Sequence, residues 1–194
     1  MRYGKEHKEA TRRRIIEASG RRFKQDGIDG AGVATLMKDA GLTNGAFYTH
    51  FASKDELVAA AVTEQLAQQR TQLREQAPDR AGIEQFIRDY LSPGHRDAPE
   101  QGCPSAALLD EIARCDDTVK QAYTDGLLDI ADDIAARLAP DDPHSARVKT
   151  LNAFATLIGT LQLARTLADR ELSDAILEQG VRNALAALTQ TDSN

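Results

Sequence analysis

The chain has 194 residues, of which 41% are hydrophobic and 5% aromatic, with no tryptophan and a net charge of -6. That length suits one sizeable core, or a small module fused to a larger one, and abundant Ala and Leu with few aromatics points to packed helices rather than sheets. No run of about 18 apolar residues is present to cross a bilayer, and the opening MRYGKEHKEATRRR lacks the apolar core of a secretory signal, so the expected location is the cytoplasm. The two cysteines, Cys103 and Cys115, are too few to staple such a domain and have no metal-ligand spacing, which fits a reducing compartment.

Charge is divided along the chain. Residues 1–51 hold ten Lys or Arg against six Asp or Glu, a net of +4, which leaves -10 for the remainder. A basic end on an acidic protein directs the search for an anionic partner to that end.

From Lys8 to Gln25 the residues Ile15, Ile16, Ser19 and Phe23 fall at helical spacing, and Gly27 follows as a stop. The link Ile28 to Gly32 has turn chemistry. Val33, Leu36, Met37 and Ala40 then line one side of a short second helix that Gly41 ends, with Leu42 plugging the core. Thr43 is the expected cap of a third short helix, with Phe47 and Phe51 one turn apart on its buried face. Ser53 and Glu56 form an S-x-x-E capping box that opens a fourth helix running to about Ala77, before Pro78.

Asp79 caps a fifth pattern containing Ile83, Phe86, Ile87, Tyr90 and Leu91. The segment SPGHRDAPEQG, Ser92 to Gly102, is the strongest loop signal in the chain. Helical patterns follow at Pro104 to Arg114, Thr118 to Leu138, Ser145 to Leu167 and Ser173 to Leu188, and the tail TQTDSN is expected to fray. The expectation is an all-α protein of about nine helices: a tri-helical helix-turn-helix module over residues 1–53 and a larger helical domain over residues 54–190.

Helix, short helix, glycine turn and short helix is the plan in which the third element enters the DNA major groove while its neighbours cross the backbone. A reading helix must present small or polar residues to base edges, and hydroxyls, amides and cations to phosphates. Asn44, Gly45, Ala46, Tyr48, Thr49 and His50 supply that face, while Lys54 stands at a helix N-terminus, where free amides and the dipole attract phosphate. Asn44 suits bidentate bonding to adenine, and the Thr49 methyl suits a thymine methyl.

Over Thr11 to Leu57, and above all in GAFYTHFASKDEL, the sequence resembles the TetR/AcrR family of one-component bacterial transcriptional regulators. The resemblance implies a double-stranded DNA partner, with phosphate contacts from Tyr48, His50 and Lys54 and base contacts from Asn44, Ala46 and Thr49. Family members often carry Ser or Thr at the start of the second helix, where this chain has Gly32 and Val33; exposed Thr35 stands as the substitute contact, and Thr43 completes the DNA-binding set. The resemblance further implies a repressor that binds a palindromic operator as a homodimer and is released by a small-molecule effector held in the larger domain.

Beyond residue 58 the likeness is one of layout. The last two long patterns read as a dimer interface, with Leu151, Phe154, Ala155, Ile158, Gly159 and Leu161 on one and Ile176, Leu177, Gly180, Val181, Ala184, Leu185 and Leu188 on the other. Gly159 and Gly180 each cost a helix roughly 1 kcal/mol against Ala, which close approach of a partner helix offsets. Tyr90, His95, Arg96, Tyr123, Asn152 and Gln162 are candidate effector contacts, being polar or aromatic groups within or beside apolar stretches. Cys103 opens a helix in GCPSAAL, where helix-terminal amides stabilise a thiolate, and is a candidate electrophile or oxidant sensor; Cys115 has no such setting.

A phosphate loop, a paired-histidine metal motif and a nucleophile elbow are all missing from the sequence, and its four histidines are scattered, so no catalytic, metal or cofactor site is expected. The rival reading is a DNA-binding architectural or partner-recruiting protein of the same fold without a small ligand. A closed apolar cavity would speak for the sensor, a filled core for the rival.

Overall fold

The computed structural model describes residues 2–189, and the tail expected to fray lies outside them from residue 190 onward. Among the described residues ten α-helices run as α1 (Arg2–Asp26), α2 (Val33–Asp39), α3 (Phe47–His50), α4 (Lys54–Gln76), α5 (Arg80–Tyr90), α6 (Pro93–Asp97), α7 (Pro104–Ile112), α8 (Asp117–Leu138), α9 (Pro143–Thr166) and α10 (Arg170–Thr189). No strand occurs among the described residues.

The first three helices close around Ile15, Phe23, Ile28, Leu36, Met37, Phe47 and Phe51, all at most 4% exposed, with Leu57 and Val58 of α4 completing the cluster. Burial of each large side chain is worth about 1.5–3 kcal/mol against leaving it in water. Gly27 (φ +81°) and Gly41 (φ +67°) end α1 and α2 in left-handed conformations that side chains resist. The amides after Gly41 fold back at once, Leu42 N donating to the Met37 carbonyl at 2.8 Å.

Two local expectations change. Thr43 makes no side-chain cap; the chain instead enters α3 through a 3-10 turn, Asn44–Ala46, so the recognition element is a tight turn followed by a single α-turn. The expected loop Ser92 to Gly102 contains α6 and a second 3-10 turn, Pro99–Gln101. Its helical start is legible afterwards: Ser92 Oγ accepts from His95 N at 3.2 Å, and Pro93 occupies the first position, where no N–H is needed. Ser53 caps α4 as read, accepting from Glu56 N at 3.0 Å, while the Glu56 carboxylate accepts from Ala52 N at 2.7 Å.

In the larger domain α4 lies along α8, α8 along α9, and α9 along α10. Arginines stitch these layers. Arg70 grips Asp133 with a two-pronged bond of 2.9 and 3.0 Å, Arg74 joins the same carboxylate, and Arg147 holds Asp132 across α8 and α9. The Asp133 carboxyl is held well below the usual range, first by Arg70 and then by Arg74. Arg137 donates to the carbonyls of Leu73 and Ala77, closing the end of α4.

Two glycines permit these helices to approach. A Cβ on Gly180 would lie 2.5 Å from Thr160 Cγ2 and 2.9 Å from Leu91 Cδ1, so the close approach expected there for a partner subunit is made inside the chain. A Cβ on Gly126 of α8 would lie 2.7 Å from Leu66 Cδ1 and 2.9 Å from Leu66 Cβ. Gly126→Ala is therefore expected to destabilise the fold by about 1–3 kcal/mol in urea unfolding, against the gain that helix propensity alone would give.

Candidate nucleic-acid interface and helical cavity

The turn and single helical turn from Asn44 to His50 lie on the surface because Phe47 and Phe51 anchor them from below, their rings 5.9 Å apart. Thr35, Thr43, Asn44, Gly45, Tyr48 and Thr49 are exposed, and Ala46, His50 and Lys54 are half-buried. Tyr48 is the most exposed large hydrophobic side chain, at 75%, standing edge-on to Phe47 with its hydroxyl free to reach outward. Lys54 occupies the first position of α4, next to amides that the Ser53 cap satisfies only in part. Gly32 caps α2 without a side chain, as its identity requires.

His50 differs from a simple cation. Its Nδ1 is buried without a hydrogen-bond partner, and burial, reinforced by Lys8 and Arg12, lowers its pKa below the ordinary histidine value. At neutral pH the imidazole is uncharged, so what it offers a phosphate is a hydrogen bond.

Much of the basic charge of α1 is already committed. Arg12 stacks over the Phe51 ring at 4.5 Å and reaches Glu56 at 3.3 Å, pinning α1 to the start of α4. Arg22 joins Asp39 at 2.7 Å and Asp26 at 3.0 Å, and those contacts raise its pKa. Arg13 and Arg14 stay exposed.

A cavity of about 320 Å³ opens between α4, α5 and the segment joining α6 to α7. One wall is a row of α4 glutamines, Gln65, Gln68, Gln69, Gln72 and Gln76, and Phe86, Tyr90, His95 and Cys103 face it. Lys24 of α1 closes one side, donating to the Gly102 carbonyl at 2.8 Å. Burial lowers the lysine's pKa. The cavity expected for a sensor was apolar and closed; this one is polar and open to solvent.

Of the residues read as effector contacts, Tyr90, His95 and Cys103 line this cavity. Tyr123 lies behind the wall, its hydroxyl donating to Ser105 Oγ at 3.0 Å. Asn152 is exposed and Gln162 half-buried on α9, and neither reaches the cavity. Arg96 is a structural tie: its buried guanidinium binds Asp174 at 2.6 Å, Ser173 at 2.7 Å and Asp97 at 2.9 Å, fastening α6 to α10. Arg165 of α9 fastens the same helix from another side, donating to the carbonyls of His95, Arg96 and Ala106. The glutamines were missed, although their spacing along QLAQQRTQLREQ, at three to four residues, marks one uncharged polar stripe beside the apolar face of Leu66 and Leu73. Nothing local marks Lys24.

Inside the cavity His95 fixes the backbone. Its Nδ1 contacts the Tyr90 carbonyl at 2.8 Å, and its Nε2 accepts from Cys103 N at 3.2 Å, so the ring is neutral with its proton on Nδ1. Burial lowers its pKa in keeping with that state. Cys103 Sγ meets Gln69 Oε1 at 3.4 Å. The Tyr90 hydroxyl is buried beside that sulfur with no oxygen or nitrogen partner, and burial, then the neighbouring Cys103, raises its pKa well above the ordinary value.

A tri-helical module with an exposed recognition turn, joined through a long α4 to a helical domain with its own cavity, defines an all-α helix-turn-helix protein. Residues 15–61 match the family model described as bacterial regulatory proteins, tetR family. The chain is 35% identical over 109 residues to the HTH-type transcriptional repressor Rv1474c of Mycobacterium tuberculosis, an alignment covering 56% of this chain and 52% of that protein. It is 43% identical over 60 residues to the HTH-type transcriptional regulator TtgR of Pseudomonas putida, covering 31% and 29% respectively. The chain thus spans about half the length of the first relative and under a third of the second.

Similar solved folds include reduced NemR of E. coli, at a TM-score of 0.75 and 20% identity over 92% of this chain and 97% of that one. FadR of Bacillus subtilis in complex with stearoyl-CoA matches at 0.63 and 16% identity over 87% and 96%. Residues 15–61 thus carry the N-terminal domain of the tetR family of bacterial regulatory proteins, and the rest of the chain shares the all-α fold of the solved TetR-family regulators.

The two domains meet at a defined joint. Glu111 of α7 accepts from Ile28 N at 2.6 Å and Asp29 N at 3.3 Å, filling the space that a side chain on Gly27 would take. Glu111→Ala is expected to cost about 1.5–3 kcal/mol in chemical unfolding, because two amides lose a charged acceptor, and Glu111→Gln less, because it keeps one oxygen.

Proposed function

We propose that this protein is a dimeric, effector-released repressor of transcription that binds a palindromic operator in the cytoplasm. The observation that carries the reading is the recognition turn: six exposed polar, small or aromatic positions between Thr35 and Thr49 surround a buried Phe47–Phe51 anchor, with Lys54 at the adjoining helix start. Asn44, Ala46 and Thr49 read bases; Tyr48, His50 and Lys54 hold phosphates. Thr35, Thr43 and Gly45 approach the backbone at the edges of the contact. The FadR neighbour was solved in complex with stearoyl-CoA, and the cavity beside Lys24, open and glutamine-lined rather than closed and apolar, is the proposed ligand site here.

Dimerisation rests on one face of α9. Val148, Asn152, Ala155, Gly159 and Leu163 recur every three to four residues, are all exposed and carry no charge. A Cβ on Gly159 would meet nothing within 4 Å, in contrast to Gly180, so its surface is open to a partner helix. Leu172 of α10 extends the same apolar exposure. Phe154, Ile158, Leu161, Leu177 and Ala184, read from sequence as part of the interface, are buried in the monomer's own core. Two copies packed on α9 and α10 form a four-helix bundle, and their reading heads must sit about 34–36 Å apart to enter successive major grooves. A ligand that prefers a different spacing weakens DNA binding by that preference.

Fluorescence anisotropy on duplex DNA from upstream of the protein's own gene, against scrambled competitor across a salt series, tests the first half. Selective binding that weakens with salt is expected, with Lys54→Ala reducing the log–log salt slope by about 1. Equal affinity for scrambled DNA would remove the operator reading. Leu163→Glu, which places a charge on the exposed stripe, is expected to shift the particle from dimer to monomer by light scattering and to weaken operator binding by at least about tenfold; an unchanged dimer would place the interface elsewhere.

A further inference from the structure

We propose that Cys103 is a covalent effector site, at which the thiol adds to a small α,β-unsaturated carbonyl compound entering the cavity, with the Tyr90 hydroxyl supplying a proton. The inference deepens the repressor reading, and its regulatory half rests on that reading.

Three observations converge on one space. The Cys103 thiol lines a cavity of about 320 Å³ that is open to solvent, so a molecule of a few heavy atoms can reach it. Tyr90 lines the same cavity and is only 4% exposed, and its buried hydroxyl lies beside the Cys103 sulfur with no oxygen or nitrogen hydrogen-bond partner in the protein. A buried donor left unpaired costs about 1–3 kcal/mol, and a carbonyl oxygen bound beside the sulfur would remove that cost. Lys24 stands on the rim, where a cation favours negative charge developing on an enolate. The raised pKa of the phenol keeps it protonated and able to donate.

The step balances without an oxidant. The Cys103 proton leaves to solvent, the sulfur lone pair forms a bond to the β-carbon, and the C=C π pair moves through the carbonyl to give an enolate. Tyr90 protonates the enolate and recovers its proton from water in the open cavity. The sum is addition of S–H across C=C, with no leaving group.

The position of Cys103 connects the adduct to the reading head. Its preceding residue, Gly102, holds Lys24 of α1 through the carbonyl, and the helix it opens, α7, holds the α1–α2 turn through Glu111. An adduct on Sγ displaces the Gln69 contact and occupies the space that Lys24 closes, so the tie between α1 and the cavity loop is strained or lost. Cys115 has none of these neighbours: it lies outside the cavity, and burial raises its pKa, with acidic residues, Asp55 foremost, adding to the shift.

The test is a time course with methyl vinyl ketone, followed by intact mass and peptide mapping, on the wild type, Tyr90→Phe, Cys103→Ser and Cys115→Ser proteins, with operator anisotropy on the same samples. Mapping on the wild type needs no variant to fold. Expected are modification of Cys103 at least about tenfold faster than Cys115, a loss of at least about tenfold in that rate in Tyr90→Phe, and loss of operator binding that Cys103→Ser resists and Cys115→Ser does not. Adduct first on Cys115, or equal rates on both, overturns the site. A Tyr90→Phe rate equal to the wild type removes the proton donor. Full operator affinity in the modified protein overturns the regulatory half. If the unmodified protein binds no operator while Cys103 is still modified selectively, the repressor reading fails and the covalent site stands.

Discussion

The grip of α7 and its preceding loop on α1 is the constraint around which the molecule is arranged. Gly27 turns the chain through a left-handed conformation, leaving the amides of Ile28 and Asp29 pointing away from any helix. Glu111 fills that gap from 82 and 83 residues away in the chain, and Lys24 donates to Gly102 across 78. Without these two contacts the small module would meet the larger one mainly through the long α4 and apolar packing. With them, the backbone that shapes the cavity is bonded directly to the helix that carries the reading head.

Rigidity behind that joint comes from two arginines, Arg96 buried and Arg165 half-buried. Arg96 and Arg165 hold α6 against α9 and α10 through carboxylates, a serine and three carbonyls, so a helix of five residues with almost no core of its own keeps a fixed place. His95, on that helix, in turn fixes the Tyr90 carbonyl and the Cys103 amide. Taking a guanidinium out of water is tolerable only where acceptors replace it, and each nitrogen of both arginines donates to at least one, Arg96 to short acids and a serine and Arg165 to backbone carbonyls. The cavity wall is therefore stiff except at side chains, the row of glutamines and the lysine, which are the groups free to rearrange around a ligand.

The same economy shapes the DNA-binding face. Arg12 and Arg22, which a count of charge assigns to the potential around DNA, spend their guanidinium groups on Phe51, Glu56, Asp26 and Asp39. What remains for contact is a small set of exposed hydroxyls, an amide, an uncharged imidazole and Lys54. On the proposed reading, such a face holds the DNA backbone through hydrogen bonds and one helix start rather than through a dense basic patch, in keeping with the modest excess of +4 over residues 1–51.

Much of the reading domain was legible in the sequence, because its signals are local: Gly27 and Gly41 as stops, Ser53 with Glu56 as a cap, and Phe47 with Phe51 one turn apart each depend on neighbours within about four residues. Local signals failed where the answer lay across the fold. Thr43 gave no cap because the following turn is 3-10, α6 formed inside a segment rich in proline and glycine because Arg96 and Arg165 hold it, and Gly180 serves Thr160 and Leu91 of its own chain. Asn152 and Gln162 had the right chemistry on the wrong helix, whereas Lys24 had no distinguishing neighbours at all and entered the cavity only through tertiary packing. Composition and periodicity determined the helices, and the motif around Phe47 and Phe51 marked the short turn between them; which polar groups share one open cavity was decided by long-range packing, whose partners a one-dimensional pattern does not record.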